Sequence, residues 1–253
     1  MLADAASMKK RSDYAVVTPY YKESRDTIEK CIASVAAQTV ATDHFLVADG
    51  FAQDWIDTRE VRHFKLDTGH ADFGNTPRGI GALLAASEQY HGIAFLDADC
   101  WLDANHVELC RRTAGNDPID FVIANRRMVA PDGTVLAVPE EPDHVDTNCL
   151  FLLEGAFHTL HHWVLQPRVM APLDDRIIWT MLKGQGLNWR RTAAVTVNYL
   201  CLWRNVYVTL GLEPPVSAKP AIGNPIPAYL ASLDARGFEI LRRRTGITFK
   251  PKV

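Results

Sequence analysis

The tripeptide Asp97-Ala98-Asp99 closes the apolar run Ile93-Ala94-Phe95-Leu96 and presents two carboxylates one residue apart. Acids so closely spaced repel each other unless a cation lies between them, and hard divalent ions such as Mg²⁺ or Mn²⁺ prefer carboxylate and phosphate oxygens. Such an ion can neutralise charge growing on a departing diphosphate. The competing reading is that Asp99 caps the helix that follows. Three other signals suit the same chemistry. Thr18-Pro19-Tyr20-Tyr21-Lys22-Glu23 follows a strand and precedes a helix, which leaves backbone N–H groups and a helix N-terminus facing a crevice. Asp49, in Ala48-Asp49-Gly50, can accept ribose hydroxyls or the N3–H of a uracil, or can simply serve a turn. Arg78 stands in a first helical turn with Gly74 and Gly79 as flexible flanks, and can bridge diphosphate oxygens or form a surface ion pair.

Other phosphate and metal patterns are missing. The glycines of residues 74–81 are not spaced G-x-G-x-x-G, and there is no G-K-[ST] loop. His158-x-x-His161-His162 invites a zinc site, but it lacks the glutamate of H-E-x-x-H and a third ligand.

The elements that carry these residues alternate. Residues 14–18 read as a buried strand stopped by Pro19, and residues 24–38 as an amphipathic helix with Ile28, Cys31, Ile32, Val35 and Ala36 on one face. Residues 44–48 form a second strand, 61–66 a third nearer the edge, 76–90 a helix with Pro77 in its first turn, and 93–96 a central strand. Repeated strand–helix units imply a mostly parallel sheet, whose ligands sit at the carboxyl ends of the strands. Beyond Asp99 come a helix at 103–112, a strand at 120–125, a hairpin around Pro131-Asp132-Gly133 and a loop opened by Pro139-Glu140-Glu141-Pro142. A helix at 174–183 closed by Gly184, a strand at 187–197 and a helix at 201–210 follow. The proline-rich connector from Glu213-Pro214-Pro215 leads to a tail with Tyr229, Leu230, Leu233, Ile240 and Leu241 on a helical face.

Composition limits the function classes. The 253 residues are 47% hydrophobic and 23% charged, as in an ordinary globular protein with a substantial core. A net charge of -3 disfavours whole-chain nucleic-acid binding. Five scattered cysteines without a Cys-x-x-Cys pair argue against a disulfide framework and fit a reducing cytoplasm. No apolar run is long enough to span a bilayer, and the N-terminus lacks a signal-peptide core. Seven basic residues against two acidic ones give residues 214–253 a charge of +5, leaving -8 on the remainder. That tail reads as a solvated helix end, with peripheral contact at the inner membrane face as the alternative.

Taken in order, these motifs resemble the family 2 glycosyltransferases of the GT-A fold, which move a sugar from a nucleotide-sugar donor to an acceptor. The resemblance spans residues 14–200. It implies an α/β GT-A (nucleotide-diphospho-sugar transferase) fold, with a mostly parallel central sheet flanked by helices and a C-terminal helical tail. It divides the chain into an extension (1–12), the glycosyltransferase domain (13–212, with a nucleotide-binding half at 13–100 and an acceptor half at 101–212), and a connector and tail (213–253). Thr18, Pro19, Tyr20, Glu23, Asp49, Asn75, Arg78, Asp97, Ala98 and Asp99 match nucleotide-sugar contacts, with Mn²⁺ or Mg²⁺ on Asp97 and Asp99. The donor it favours is a UDP-sugar, and the acceptor a glycan or other hydroxyl compound. Relatives often carry a doubled aspartate and a serine where this chain has Ala48-Asp49-Gly50-Phe51, which leaves the base contact open, with His70 and Asp72 as further candidates.

An in-line attack that inverts the anomeric centre needs a carboxylate to take the acceptor's proton. Leu173-Asp174-Asp175-Arg176 resembles the family's base motif, whose second acid makes Asp175 the base and Asp174 its neighbour. Consecutive helical residues diverge by ~100°, so Asp174 is read as the N-cap. Asn148 of Asp146-Thr147-Asn148 resembles an acceptor-side contact or else caps a helix; Trp179 either floors the acceptor pocket or lies in the core. A sugar-phosphate nucleotidyltransferase is the alternative enzyme, although the loop after the first strand lacks its glycines. A catalytically silent nucleotide- or carbohydrate-binding module is the alternative outside enzymes.

Overall fold

The apolar run after Asp13 forms strand β1 (Tyr14–Tyr20), buried along nearly its whole length. In a computed structural model that describes residues 12–139 and 144–249, it lies inside a nine-stranded sheet. The extension before Ser12, the loop residues Glu140 to Pro142, and Lys250 and Lys252 of the tail lie outside the described residues. Pro19 does not stop β1. The Val17 carbonyl accepts from Leu96 N–H, so the polar groups of Pro19, two residues on, turn to the same side, where the neighbouring strand has already ended. Its missing donor therefore costs nothing.

Helix α1 (Arg25–Ala36) starts where the Ser24 hydroxyl accepts from Thr27 N–H, and buries Ile28, Cys31, Ile32 and Val35. Strands β2 (Thr42–Asp49) and β3 (Arg62–Leu66) follow, then helix α2 (Asn75–Ser87) and strand β4 (Gly92–Phe95). These strands pair in parallel in the order β3-β2-β1-β4, with β3 at the edge. Gly79 in α2 is a close-packing glycine and not a hinge, since a Cβ there would sit 2.5 Å from Val164 Cγ2.

The second half begins with strand β5 (Trp101–Leu102) and helix α3 (His106–Ala114), shifted a few residues beyond the expected helix. Strand β6 (Phe121–Val129) turns through Pro131-Asp132-Gly133 into β7 (Val135–Leu136), with Gly133 at φ 89°. The apolar run before Glu154 is strand β8 (Leu150–Leu153), which enters antiparallel between β4 and β6. Helices α4 (His161–Leu165) and α5 (Asp174–Gly184) lead to strand β9 (Trp189–Leu200), which pairs in parallel with β6. Gly186 takes the left-handed turn after α5, at φ 70°, rather than Gly184.

Helices α6 (Arg204–Thr209), α7 (Ile226–Ala231) and α8 (Ala235–Thr245) complete the chain. The tail is docked, because Leu241 is buried with Met170 and Ile177, and Tyr229, Leu230 and Leu233 pack against them. Arg242 and Arg243 of α8 are exposed and pair with Glu239. Among the described residues, no helix is long and apolar enough to cross a membrane.

Candidate active site

The register of β4 against β8 decides what stands beside the Asp97-Ala98-Asp99 tip. Ala94 is opposite Phe151, and extending that antiparallel pairing by three residues sets Asp97 opposite Asn148. Asn148 Nδ2 donates to Asp97 Oδ2 at 2.9 Å, and its Oδ1 accepts the Asp97 backbone N–H. Asp146 Oδ1 accepts from Asn148 Nδ2 at 2.7 Å, while Arg126 of β6 pairs with the other Asp146 oxygen. Burial pushes the Asp146 carboxyl up to about 6 against the pull of Arg126.

Arg78 reaches the same point from α2. Only 3% of it is exposed, and Nη2 donates to Asp97 Oδ1 at 2.6 Å while Nη1 donates to Asn75 Oδ1 and lies 3.7 Å from Asp174 Oδ2. Burial would favour the neutral guanidine, but Asp97, Asp174 and Asp175 outweigh it and hold Arg78 charged. Both Asp97 oxygens are therefore engaged. Asp99 points elsewhere: its Oδ2 is 3.9 Å from Lys219 Nζ, and burial followed by the Asp97 charge raises its carboxyl to about 6. Lys219 arrives from the proline-rich connector through an isolated bridge with Trp203, in which its N–H donates to the Leu202 carbonyl. Carboxylate oxygens of Asp97 and Asp99 and the Cys100 sulfur lie within 4.8 Å of one another. Burial drives the Cys100 thiol upward, so it stays protonated and donates weakly to Asp99.

Across the cleft, α5 begins at Asp174 itself with Leu173 ahead of it, so Asp174 is not the N-cap. Its carboxylate faces Arg78 instead. Burial and the Asp175 charge raise Asp174 well above the ordinary range. Asp175 moves the other way: burial pushes it up, but hydrogen bonds from His144 and Thr147 prevail and hold it low. Thr147 donates both its N–H, at 3.1 Å, and its hydroxyl, at 2.6 Å, to Asp175 Oδ1, and His144 Nε2 lies 3.4 Å from Oδ2.

One cleft of about 900 Å³ connects these groups. Of the expected site residues, Pro19, Tyr20, Glu23, Asp49, Arg78, Asp97, Ala98, Asp99, Asp174 and Asp175 line it. Four do not. The Thr18 hydroxyl is buried against His44 Nε2 at 2.9 Å, and Asn75 lies behind Arg78 as its partner. Asn148 is spent on Asp97 and Asp146 and presents nothing to an acceptor. Trp179 is a core residue, packed edge-on against Phe121 and Trp189. Asp49 accepts from the His70 backbone N–H with both oxygens and lies 2.6 Å from His70 Nδ1, which fixes it at the cleft wall. Asp72 accepts from Thr76 N–H and hydroxyl at the start of α2. Backbone strain gathers just there, with Ala71, Phe73 and Gly74 at φ 49°, 59° and 81°.

Three cleft residues carried no signal of their own: Arg126, His144 and Lys219. Arg126 is placed by β6, Lys219 by the Trp203 bridge, and His144 by its contact with Asp175 of α5.

The family model described as Glycosyl transferase family 2 matches residues 15–161. No curated protein matches the chain in sequence. Among solved structures, the crystal structure of S. aureus TarS 1-349 in complex with UDP superposes with a TM-score of 0.59 at 12% identity, covering 91% of this chain and 70% of that one. The same protein in complex with UDP-GlcNAc also gives 0.59 at 12% identity, covering 91% and 71%. A longer TarS structure gives 0.57 at 13% identity, and this chain covers 42% of it. At that identity the likeness is one of fold: the parallel β3-β2-β1-β4 unit continued by β8, β6 and β9 is the GT-A architecture. With a family match across β1, Asp97-Ala98-Asp99 and β8, the chain belongs to glycosyl transferase family 2 and is a glycosyltransferase.

Proposed function

We propose that the chain moves a sugar from a UDP-sugar to an acceptor hydroxyl, with inversion, using a divalent cation at Asp99 and Asp97 and Asp175 as base. The observation that supports this reading is that one cleft is lined both by Asp175, whose carboxylate accepts from Thr147, and by Asp99, whose oxygens meet only a weak thiol donor and a lysine at 3.9 Å. UDP is preferred because TarS, of the same fold, is a complex with UDP and with UDP-GlcNAc, and because Asp49 stands at the wall beyond β2. In this reading residues 13–100 form the donor half and 101–212 the acceptor half, with Lys219 of the connector returning to the donor.

The donor set fits a hard ion. Asp97 is engaged by Arg78 and Asn148, so Asp99 supplies the more weakly held carboxylate, and Mg²⁺-type ions commonly bind through one or two carboxylates plus substrate phosphates. The Cys100 sulfur, a soft ligand beside these carboxylates, suits such a hard ion poorly. When bound, the cation would neutralise negative charge on the leaving diphosphate. Arg78 holds Asp97 in place, and Thr147 and His144 aim Asp175 at the acceptor's proton and keep it ionised.

The test is a titration of UDP with and without Mn²⁺. Manganese should tighten UDP binding at least ~10-fold, which corresponds to ~1.4 kcal/mol, and Asp99→Ala should abolish that gain. Equal UDP binding with and without the metal, unchanged in Asp99→Ala, removes the cation from the reading.

A further inference from the structure

We infer that the acceptor carries an apolar group next to the hydroxyl that receives the sugar. This rests on the reading above, in which the end of the cleft remote from Asp49 takes the acceptor. At the Asp49 end the charged Glu23, Asp49, Asp72 and Arg78 stand among Pro19, Tyr20, Tyr21 and Phe73. At the other end the walls are Met128, Leu136, Val138, Tyr199, Trp203 and Val206. These six side chains also make up much of a hydrophobic cluster around Ala130, Cys201 and Tyr207, separate from the main core. A satellite core is ordinarily closed by another element of the chain. Here its outer layer is a wall of the cleft. Ile222 of the connector lines the cleft as well and is 44% exposed.

The wall begins beside the reacting groups. The Arg126 guanidinium lies over the Tyr199 ring at 5.1 Å and pairs with Asp146; Trp203 Nε1 donates to the Tyr199 hydroxyl at 2.8 Å; Lys219 Nζ lies 5.8 Å from the Trp203 ring centre and 3.9 Å from Asp99. The arginines at this end are already engaged, Arg126, Arg127 and Arg191 by Asp146, Asp103 and Asn125, so a hydroxyl-rich acceptor would have to compete for them. An acceptor with a hydroxyl at Asp175 and an alkyl or aryl body on this wall matches both the charge and the polarity of the cleft.

Calorimetric binding of methyl, octyl and phenyl β-D-glucopyranoside, each below its aggregation limit, tests the inference without requiring turnover. Octyl or phenyl glucoside should bind on the order of 10- to 100-fold tighter than methyl glucoside, since a buried methylene is worth ~4-fold. Val206→Asp and Ile222→Asp should erase that preference while leaving UDP binding at wild-type strength. A larger gain for octyl than for phenyl identifies an alkyl acceptor, and the reverse an aromatic one. Equal binding of all three glucosides, or a preference that survives both folded variants, overturns the inference. Loss of metal-dependent UDP binding in the wild type would instead overturn the donor reading, and is seen in a separate titration.

Discussion

Two acid pairs face each other across the cleft, and they are built differently. Asp97 follows the end of β4 and Asp99 lies in the turn that Cys100 N–H closes on the Asp97 carbonyl; Asp174 and Asp175 open α5 as consecutive residues of a helix. In each pair one carboxylate faces Arg78, Asp97 at 2.6 Å and Asp174 at 3.7 Å. The other is turned away, Asp99 toward Lys219 and Asp175 toward Thr147 and His144. A single buried guanidinium thus sorts both pairs into a tethered acid and a working acid. The working acids then differ in charge. Burial and Asp97 lift Asp99 to about 6, whereas Asp175 is held low by its hydrogen bonds. Asp99 has only a half-exposed lysine at 3.9 Å to balance it, whereas Asp175 is held by close donors.

The sharpest way to break this symmetry is to remove the shared cation. Arg78→Ala removes the buried cation from the half-buried Asp97 and the mostly buried Asp174, and loss of one member of a buried ion pair costs ~3–5 kcal/mol. Urea unfolding should show a loss of that size together with the loss of metal-dependent UDP binding. A variant within ~1 kcal/mol of wild type would mean that Arg78 does not join the two pairs.

The α5 pair separates by kinetics. Asp175→Asn should lower kcat by ~10²–10⁴, the usual contribution of a general base, with UDP affinity unchanged. Asp174→Asn should cost less than ~10-fold, because Asp174 faces Arg78 and amide and acid are nearly isosteric. Equal losses in steady-state transfer would show that the two acids act as one unit.

The first acid pair was legible in the sequence and its surroundings only in part, for a physical reason. β1, α1, β2, β3, α2 and β4 follow one another with parallel neighbours, so each motif at a strand end lands at the same edge of the sheet. Pro19, Asp49, Arg78, Asp97 and Asp99 meet there for that reason. What Asn148 does depends on β8 running antiparallel beside β4, a pairing that a run of Leu150, Phe151, Leu152 and Leu153 does not encode locally. Trp179 looks identical on paper whether it floors a pocket or packs on Phe121; only the rotation of α5 against β6 distinguishes the two. Lys219 is one cation in a proline-rich segment until Trp203 pairs with it.

The buried acids also set a pH dependence. Asp146 and Asp174 have folded-state values above those of the unfolded chain, so they hold protons that the unfolded chain would release. The Asp146 contribution is fully present below about pH 4 and is lost as pH rises through about 6, and that of Asp174 has the same sign. Asp175, held low, has the opposite sign and loses its contribution only in acid. Thermal melting of the metal-free protein should therefore decline between pH 4.5 and 7, and Asp146→Asn should flatten the decline. An unchanged slope in the variant would assign the effect to other groups.

The smallest effect bears on the β4 pair alone. Lys219 Nζ is 3.9 Å from Asp99, and its side chain is 53% exposed, so the pair is worth no more than ~1 kcal/mol. That ammonium and a divalent ion want the same carboxylate. Lys219→Ala should therefore tighten Mn²⁺ binding in the absence of nucleotide by up to ~5-fold, the equivalent of ~1 kcal/mol. The same variant should weaken UDP binding in the presence of Mn²⁺, because the lysine displaced from Asp99 remains within reach of the diphosphate that the metal brings. The two titrations move in opposite directions only if the lysine first competes with the metal and then assists it; a parallel loss in both would make Lys219 a simple support for the connector.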